Sequence, residues 1–255
     1  MKRWMHLVGF LIKRRGKDSF TIGYNVVFPM AMVLLLGYLM KGSYGTYISS
    51  YQYYSYVMLP FCVLIAVISA AYAAKEEAFT NTAIRFVMAP LSKREIVMAK
   101  IASATVVYSA CYSVVLVVLN LMFKLSLGIH ILAVIGLLWV ECFFAVSLGI
   151  FIGIGMKNFI LVKNILNLPI MVFAILGGCF FPIGTLNRWL DKVFWISPLT
   201  WVNRGIFLLV YDEQNMLIGI TAIMLLLLGS VIGIAAMKCF KKEEFLHGEL
   251  PSYEK

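Results

Sequence analysis

The chain has 255 residues, of which 62% are hydrophobic and 13% carry a charge, and its formal net charge is +10. So few charged residues cannot cover a soluble globule of this length, and the composition therefore excludes a water-soluble domain and indicates an integral membrane protein. Basic residues in such a protein attract anionic lipid head groups, so the charge indicates membrane lipids as partners and no nucleic acid.

The first 20 residues are basic and carry a helical pattern. Their apolar residues recur at i, i+3, i+4 and i+7, namely Trp4, Leu7, Val8 and Leu11. This spacing predicts an amphipathic helix over residues 1–20 that lies in the inner membrane interface. The same spacing fits a simple basic anchor without a mechanical role equally well.

Six apolar runs follow, each close to the ~20 residues with which a helix crosses ~30 Å of hydrocarbon. They extend approximately from Tyr24 to Met40, Tyr56 to Ala74, Ile96 to Phe123, Ile131 to Met156, Ile165 to Phe181 and Met216 to Met237. The sequence therefore predicts an all-α integral membrane protein in which residues 1–255 form one domain with six transmembrane helices.

The distribution of basic residues predicts the orientation, because Lys and Arg accumulate in cytoplasmic segments. With the N-terminus inside, 17 of the 22 Lys and Arg residues fall in cytoplasmic segments. We therefore expect a multi-pass protein of the cell (plasma) membrane with both termini in the cytoplasm. The polar tail, residues 241–255, is then cytoplasmic.

A charged segment, residues 75–91, separates the second and third runs. Its apolar residues on one helical face are Phe79, Ala83, Phe86 and Val87. This pattern predicts an amphipathic helix that ends at Pro90, after which Ser92 and Glu95 form the S-x-x-E capping box of the third span. Exposed aromatic residues on such a helix need lipid heads or a protein partner to cover them, and the pattern fits both.

The segment between the fifth and sixth runs, residues 177–215, is apolar enough to suggest a seventh span. It contains Pro198, Asn203 and Arg204, however, and a seventh span would move the basic residues near Lys238 to the outside. We therefore expect two short helices that enter the outer leaflet and return, forming a re-entrant extracellular element before the last span. Such backbone is tolerated where it packs against protein or water.

Glu141 is the one carboxylate deep in a predicted span. A charge there costs ~2.5–3.5 kcal/mol on insertion scales, so this residue is expected to be protonated, paired or exposed to water. If the third and fourth spans are antiparallel neighbours, the hydroxyls level with it are those of Ser109, Tyr112 and Ser113. Both a structural role and a role in substrate or proton transfer remain open.

The sequence contains no catalytic signature. No G-x-x-x-x-G-K-[ST] motif is present, so the chain has no phosphate cradle for ATP. The three histidines and five cysteines are scattered, which predicts no metal site. If ATP drives this protein, another chain must hydrolyse it.

Two motifs in this order resemble those of type-2 ABC exporter permeases. They are K-E-E…A-P-L-S-K-R-E…K after the second span and G-G-C-F-F-P-I…W-L…S-P-L-T-W after the fifth. The resemblance covers essentially the whole chain. It implies the membrane subunit of an ATP-driven exporter, which works by alternating access. Such a subunit pairs with a second copy of itself or a related permease, and with two copies of a cytoplasmic ABC ATPase.

The resemblance also implies roles for individual residues. The loop helix would be the coupling helix, and its expected contacts with the ATPase are Glu76, Glu77, Phe79, Thr80, Ala83, Arg85, Phe86 and Met88. Spans two and five line the central path in this family, which gives as candidates Phe61, Leu64, Phe173, Leu176, Phe180 and Phe181. The chain itself would be no enzyme and bind no cofactor, since ATP and Mg would be held by the partner ATPase.

An apolar path suits an amphipathic cargo, and a drug or antibiotic, as in antibiotic resistance, is the first expectation, ahead of a lipid or peptide. Two other functions remain open. One is an ion-coupled membrane transporter that uses Glu141. The other is a peptide-sensing or immunity subunit, which would have the same sequence features.

Overall fold

The computed structural model describes residues 2–42, 44, 48–79, 82–88, 91–156, 159–180 and 192–240, and these ranges are helical without a strand. Thr80, Phe181 and residues 241–255, which the sequence predictions include, lie outside them, as do the side chains of Phe79 and Arg85. The helices are α1 (Lys2–Arg15), α2 (Ser19–Ile22), α3 (Phe28–Leu39), α4 (Ser50–Phe79), α5 (Ala83–Met88), α6 (Lys93–Phe123), α7 (Ile131–Gly155), α8 (Phe159–Leu176), α9 (Pro198–Tyr211) and α10 (Met216–Cys239).

Five of the six predicted spans are long and apolar enough, within the described residues, to cross a bilayer. They are Ser19–Leu39, Ser50–Glu77, Lys93–Phe123, Gly128–Gly155 and Met216–Cys239. The chain is therefore a multi-pass membrane protein.

The predicted fifth span begins and ends earlier in the chain than expected, because α8 covers 18 residues, Phe159–Leu176. Its apolar part, Asn164–Leu176, lies in α8, which ends ahead of Gly178. Gly178 has φ of 72°, a conformation that glycine adopts without strain, and the amide of Cys179 donates to the carbonyl of Ala174 at 3.0 Å. This C-terminal turn closes the helix before residue 181.

The helix α4 lies at the centre of the bundle, between α7 on one side and α3 and α6 on others. Gly149 and Gly153 of α7 face it so closely that a Cβ on Gly149 would lie 2.6 Å from Cβ of Ala70. Gly229 of α10 lies equally close to Phe143 of α7. Both G-x-x-x-G motifs thus pack helices within one chain.

The N-terminal helix is confirmed over Lys2–Arg15. Leu11 is buried, whereas Phe10 and Met5 on the other side are exposed. The helix packs on α6, so it is tied to the bundle. Asp18 then caps α2, its carboxylate accepting from the amides of Phe20 and Thr21 at 3.2 and 3.1 Å.

The first span is irregular at Asn25, where the π-helical turn Gly23–Val27 joins α2 to α3. The buried Asn25 donates from Nδ2 to the carbonyl of Thr21 at 2.7 Å and accepts from the hydroxyl of Tyr112 at 2.8 Å. The Asn25 side chain therefore supplies a hydrogen-bond donor to the Thr21 carbonyl at the π-helical turn, and its bond with Tyr112 connects the first span to α6.

Candidate functional site

The loop motif that follows the second span lies at one end of the helix bundle. This end is formed by the C-terminal ends of α1, α4, α7 and α10, the N-terminal end of α6, and α5. We call it the basic end, because Lys13, Arg14, Arg15, Lys93 and Arg94 lie there.

The loop helix differs from its prediction. The helix α4 continues out of the apolar region to Phe79, and α5 begins at Ala83, so these two residues do not share one helix. The amide of Thr82 donates to the carbonyl of Glu77 at 2.9 Å, five residues back. In an α-helix it would donate to the carbonyl four residues back, so the α-helical pattern ends here. The prediction of one continuous helix through residues 79–88 is therefore wrong.

The capping box is confirmed. Ser92 Oγ accepts from the amide of Glu95 at 3.2 Å, and Glu95 Oε2 accepts from the amide of Ser92 at 2.8 Å. These reciprocal bonds start α6 as a helix separate from α5.

The short helix α5 has one buried and one exposed face. Ala83 is buried and Phe86 is half-buried against the core, whereas Ile84 and Met88 are 55% and 82% exposed. Ile84 and Met88 are four residues apart and so lie on the same side of the helix. Among the described side chains of α5, these two are therefore the exposed apolar ones. Ile84 was not among the predicted contacts, because the predicted apolar face was defined by its spacing from Phe79. The four-residue spacing between Ile84 and Met88 in the sequence could have indicated it.

A buried ion pair lies between the end of α4 and the beginning of α6. Glu77 and Lys100 are fully buried and paired, and Lys100 Nζ also donates to the carbonyls of Ala73 and Ala74 at 3.2 and 2.8 Å. Arg14 extends the cluster from α1, with Nη1 at 3.6 Å from the Glu77 carboxylate. Glu77 is therefore an internal residue and not the surface contact that was predicted, because the end of α4 faces α6 here and Lys100 needs a counter-ion.

Glu76 remains partly accessible at this end. Its side chain is 34% exposed and pairs with Arg14 at 2.6 Å. It therefore contacts α1 near the end of α4, and its contact with a partner chain stays a prediction.

Glu141 is buried in α7, as its position in a span predicted. The predicted hydroxyl partners are engaged elsewhere: Tyr112 lies 2.8 Å from Asn25 Oδ1, and Ser113 donates to the carbonyl of Ser109 at 2.7 Å. Within the described part of the chain, Glu141 Oε2 and Ser109 Oγ are buried without a hydrogen-bond partner. The predicted bonds to Tyr112 and Ser113 are thus absent.

The opposite end of the bundle holds the S-P-L-T-W segment. Ser197, Thr200 and Asn203 recur every three residues in and before α9, and each donates to a carbonyl at the end of α8. Their acceptors are the carbonyls of Phe173, Leu176 and Gly177, at 2.9, 3.0 and 2.8 Å. The carbonyl of Phe173 also accepts from the amide of Gly177 at 2.8 Å, and the last carbonyls of a helix lack intrahelical partners, so α9 caps the end of α8.

The length of α9 agrees with a re-entrant element. Fourteen residues extend ~21 Å at ~1.5 Å per residue, which is less than the ~30 Å of a bilayer core. None of the candidate spans among the described residues lies in this segment, and its re-entrant path stays a prediction. Tyr53 and Tyr54 of α4 bind the same connection, donating to the carbonyls of Gly178 and Phe180 at 2.7 and 3.0 Å.

The predicted path residues divide into two groups. Phe61 and Leu64 are buried in the core, and Phe61 contacts the half-buried ring of Phe180. They therefore do not line an open path in this conformation, because α4 is enclosed by its neighbours. Phe173 and Leu176 are half-buried on α8. The exposed large apolar residues of α8 include Ile165, Leu168, Met171, Val172 and Ile175.

Sequence comparison identifies the family of this chain. No group of His, Cys, Asp and Glu suited to a metal ion occurs in the part of the chain that the structure describes. The chain has no match among curated proteins. A family model described as ABC-2 type transporter matches residues 3–211, which is well over half of the chain. The protein therefore belongs to the ABC-2 type transporter family.

Proposed function

We propose that this chain is the permease subunit of an ATP-driven exporter and that α5 docks on a separate cytoplasmic ATPase. The observation that carries the proposal is the exposed pair Ile84 and Met88 on a short helix set between two spans. Adjacent apolar side chains that project from the basic end need a partner to cover them. The orientation follows, since the basic end then lies in the cytoplasm with both termini.

A movement of α5 would be transmitted to the spans through the charged side chains of Arg14, Glu76, Glu77 and Lys100. Glu77 in α4 pairs with Lys100 in α6, and Arg14 in α1 pairs with Glu76. These contacts join α1, α4 and α6 at Glu77, whose carbonyl accepts from the amide of Thr82 just ahead of α5. Approach of two ATPases on binding ATP would thus move the helices together, which is the basis of alternating access.

The exposed face of α8 supports pairing with a second permease. Leu168 and Ile175 are exposed on a helix whose end is held firmly by α9. A second copy of the chain or a related permease facing α8 would enclose an apolar path between the two subunits. Such a path suits an amphipathic cargo, for which we propose a drug or antibiotic, with a lipid or peptide as the next choice.

Native mass spectrometry of the complex purified in mild detergent tests the proposal. The double variant Ile84→Glu, Met88→Glu places two charges on the exposed face of α5, and Met216→Glu is the matched control at the opposite end, where Met216 is 77% exposed. We expect wild type and control to retain two copies of an ATP-hydrolysing chain and the double variant to lose them.

A partner-free wild type, under conditions that preserve other membrane complexes, would contradict the proposal. Retention of the ATPase by the double variant would contradict the assignment of α5 as the docking helix.

A further inference from the structure

Arg15, the last residue of α1, is a buried cation. Only 3% of its surface is exposed, and Nε, Nη1 and Nη2 have no hydrogen-bond partner among the described residues. Its neighbour Arg14 differs, because Arg14 is paired with Glu76 and lies close to Glu77. A guanidinium has five N–H donors and is always charged, so burying it without a partner is unfavourable unless an anion joins it.

Arg15 lines a cavity of about 220 Å³ between the α1–α2 connection, α4 and α6. Its other polar walls include Thr21, Ser69 and the hydroxyl of Tyr108. A water molecule occupies about 30 Å³ of the liquid, so the cavity has room for a group of several heavy atoms. It opens beside Phe20 and Tyr72, which are both exposed.

The two carboxylates near the cavity already have partners. Asp18 accepts from the amides of Phe20 and Thr21 and from the Thr21 hydroxyl as the cap of α2. Glu76 pairs with Arg14 at 2.6 Å. Both carboxylates line the cavity, and neither accepts a hydrogen bond from Arg15. The donors of Arg15 therefore remain to be satisfied, and its planar guanidinium matches a phosphate group, which it binds through two parallel hydrogen bonds.

The surroundings favour a phosphate that belongs to a lipid. The mouth lies at the start of the first span, Ser19–Leu39, which is the depth of lipid head groups. From Phe20, 62% exposed, the rings of Tyr24 and Phe28 continue along this span, each stacked on the previous one with centroids 5.8 Å apart. These rings form an apolar track that runs from the cavity into the membrane.

We propose that the cavity binds the phosphate group of an anionic phospholipid at the basic end, with Arg15 as the cation and an acyl chain along Phe20, Tyr24 and Phe28. Phosphatidylglycerol fits best, because its single negative charge balances Arg15 and it has no amine that would need a free carboxylate. The site is independent of the cargo and of the docking of α5.

Titration of the purified full-length protein in detergent, followed by native mass spectrometry, tests the proposal. The probes are phosphatidylglycerol, diacylglycerol with the same acyl chains, and inorganic phosphate. The variant is Arg15→Gln, and Lys17→Gln is the matched control, which removes an exposed charge two residues away. Wild type and control should prefer phosphatidylglycerol over diacylglycerol by about tenfold or more, and Arg15→Gln should lose that preference.

A second variant separates lipid binding from folding. Ala73 lines the cavity, so Ala73→Leu fills it while leaving Arg15 charged. We expect this variant to fold and to show a cooperative thermal unfolding transition. Phosphatidylglycerol should raise the melting temperature of wild type and leave that of this variant unchanged. This variant decides the question if Arg15→Gln does not fold.

Three results would overturn the proposal. They are unchanged phosphatidylglycerol binding in folded Arg15→Gln or Ala73→Leu, equal binding of diacylglycerol by wild type, and full occupancy of the site by inorganic phosphate in competition with the lipid. The last result would assign the cavity to a soluble anion.

Discussion

Single charges at the basic end are balanced in different ways. Glu77 and Lys100 balance each other in full burial, and Arg14 pairs with the half-exposed Glu76. Removing one partner of a buried pair leaves the other charge without compensation, which costs more than the pair itself contributes. The contribution of Glu77 is therefore structural.

For this pair we expect strong coupling between substitutions. Glu77→Gln or Lys100→Met alone should lower the free energy of unfolding by ~3–5 kcal/mol, because each leaves a buried unpaired charge. The double variant should recover a large part of that loss. Denaturant unfolding of the purified protein measures all three, and purely additive losses would show that the two residues do not interact.

Glu141 is the residue on which the ion-coupled alternative depends. Glutamine has nearly the same shape as a neutral glutamic acid and fits the same buried position in α7. If the role is structural, Glu141→Gln should leave ATP-dependent transport in proteoliposomes unchanged between pH 6 and 8. A variant that loses transport, or loses a pH dependence that wild type shows, would favour a proton or substrate role.

At the scale of elements, the closest contact is that between α4 and α7. Gly149 and Gly153 allow the two backbones to approach, since a Cβ on Gly153 would lie 2.6 Å from Cβ of Ala74. This contact holds the central helix that carries Glu77 at its end. Docking on α5 can move α4 only if this packing stays intact.

Alanine substitutions in α7 test the contact. Gly149→Ala should destabilise the protein by ~1–3 kcal/mol, because its methyl group would overlap Ala70. The matched control, Gly136→Ala, lies in the same helix with no atom within 4 Å of the added group, and should be neutral or stabilising by up to ~1 kcal/mol. Thermal unfolding in detergent compares them, and equal effects of the two would contradict the packing.

Local signals in the sequence predicted the elements better than the contacts between them. The capping box of Ser92 and Glu95 was predictable because both partners are three residues apart. The end of α8 was missed by a few residues, since apolar residues continue past the turn at Gly178. The prediction of short helices in this segment was based on Pro198 and on the polar residues Asn203 and Arg204.

The long-range contacts were not predictable in the same way. The burial of Glu77 depends on Lys100, 23 residues away on another helix, and no local pattern links them. The role of Ser197, Thr200 and Asn203 as caps for α8 requires the two helices to be placed in space. Such pairs arise from tertiary packing, which overrides the surface pattern of a single segment.

For the whole molecule, the two ends have distinct tasks in our account. At the basic end, α5 presents Ile84 and Met88 to an ATPase, and the buried cluster connects it to three helices. At the opposite end, α9 fixes α8, whose exposed apolar face is available to a second permease. Transport in this account is the coupling of these two ends through α4.

Site-specific photo-crosslinking tests the docking of α5 most directly. A photo-reactive phenylalanine analogue replaces Met88 in intact cells, and the same analogue at Met216 is the control, since both side chains are largely exposed. Our account predicts that position 88 crosslinks to a chain that contains a G-x-x-x-x-G-K-[ST] motif, and that position 216 does not. No crosslink from position 88 to such a chain, or an equal one from position 216, would contradict it.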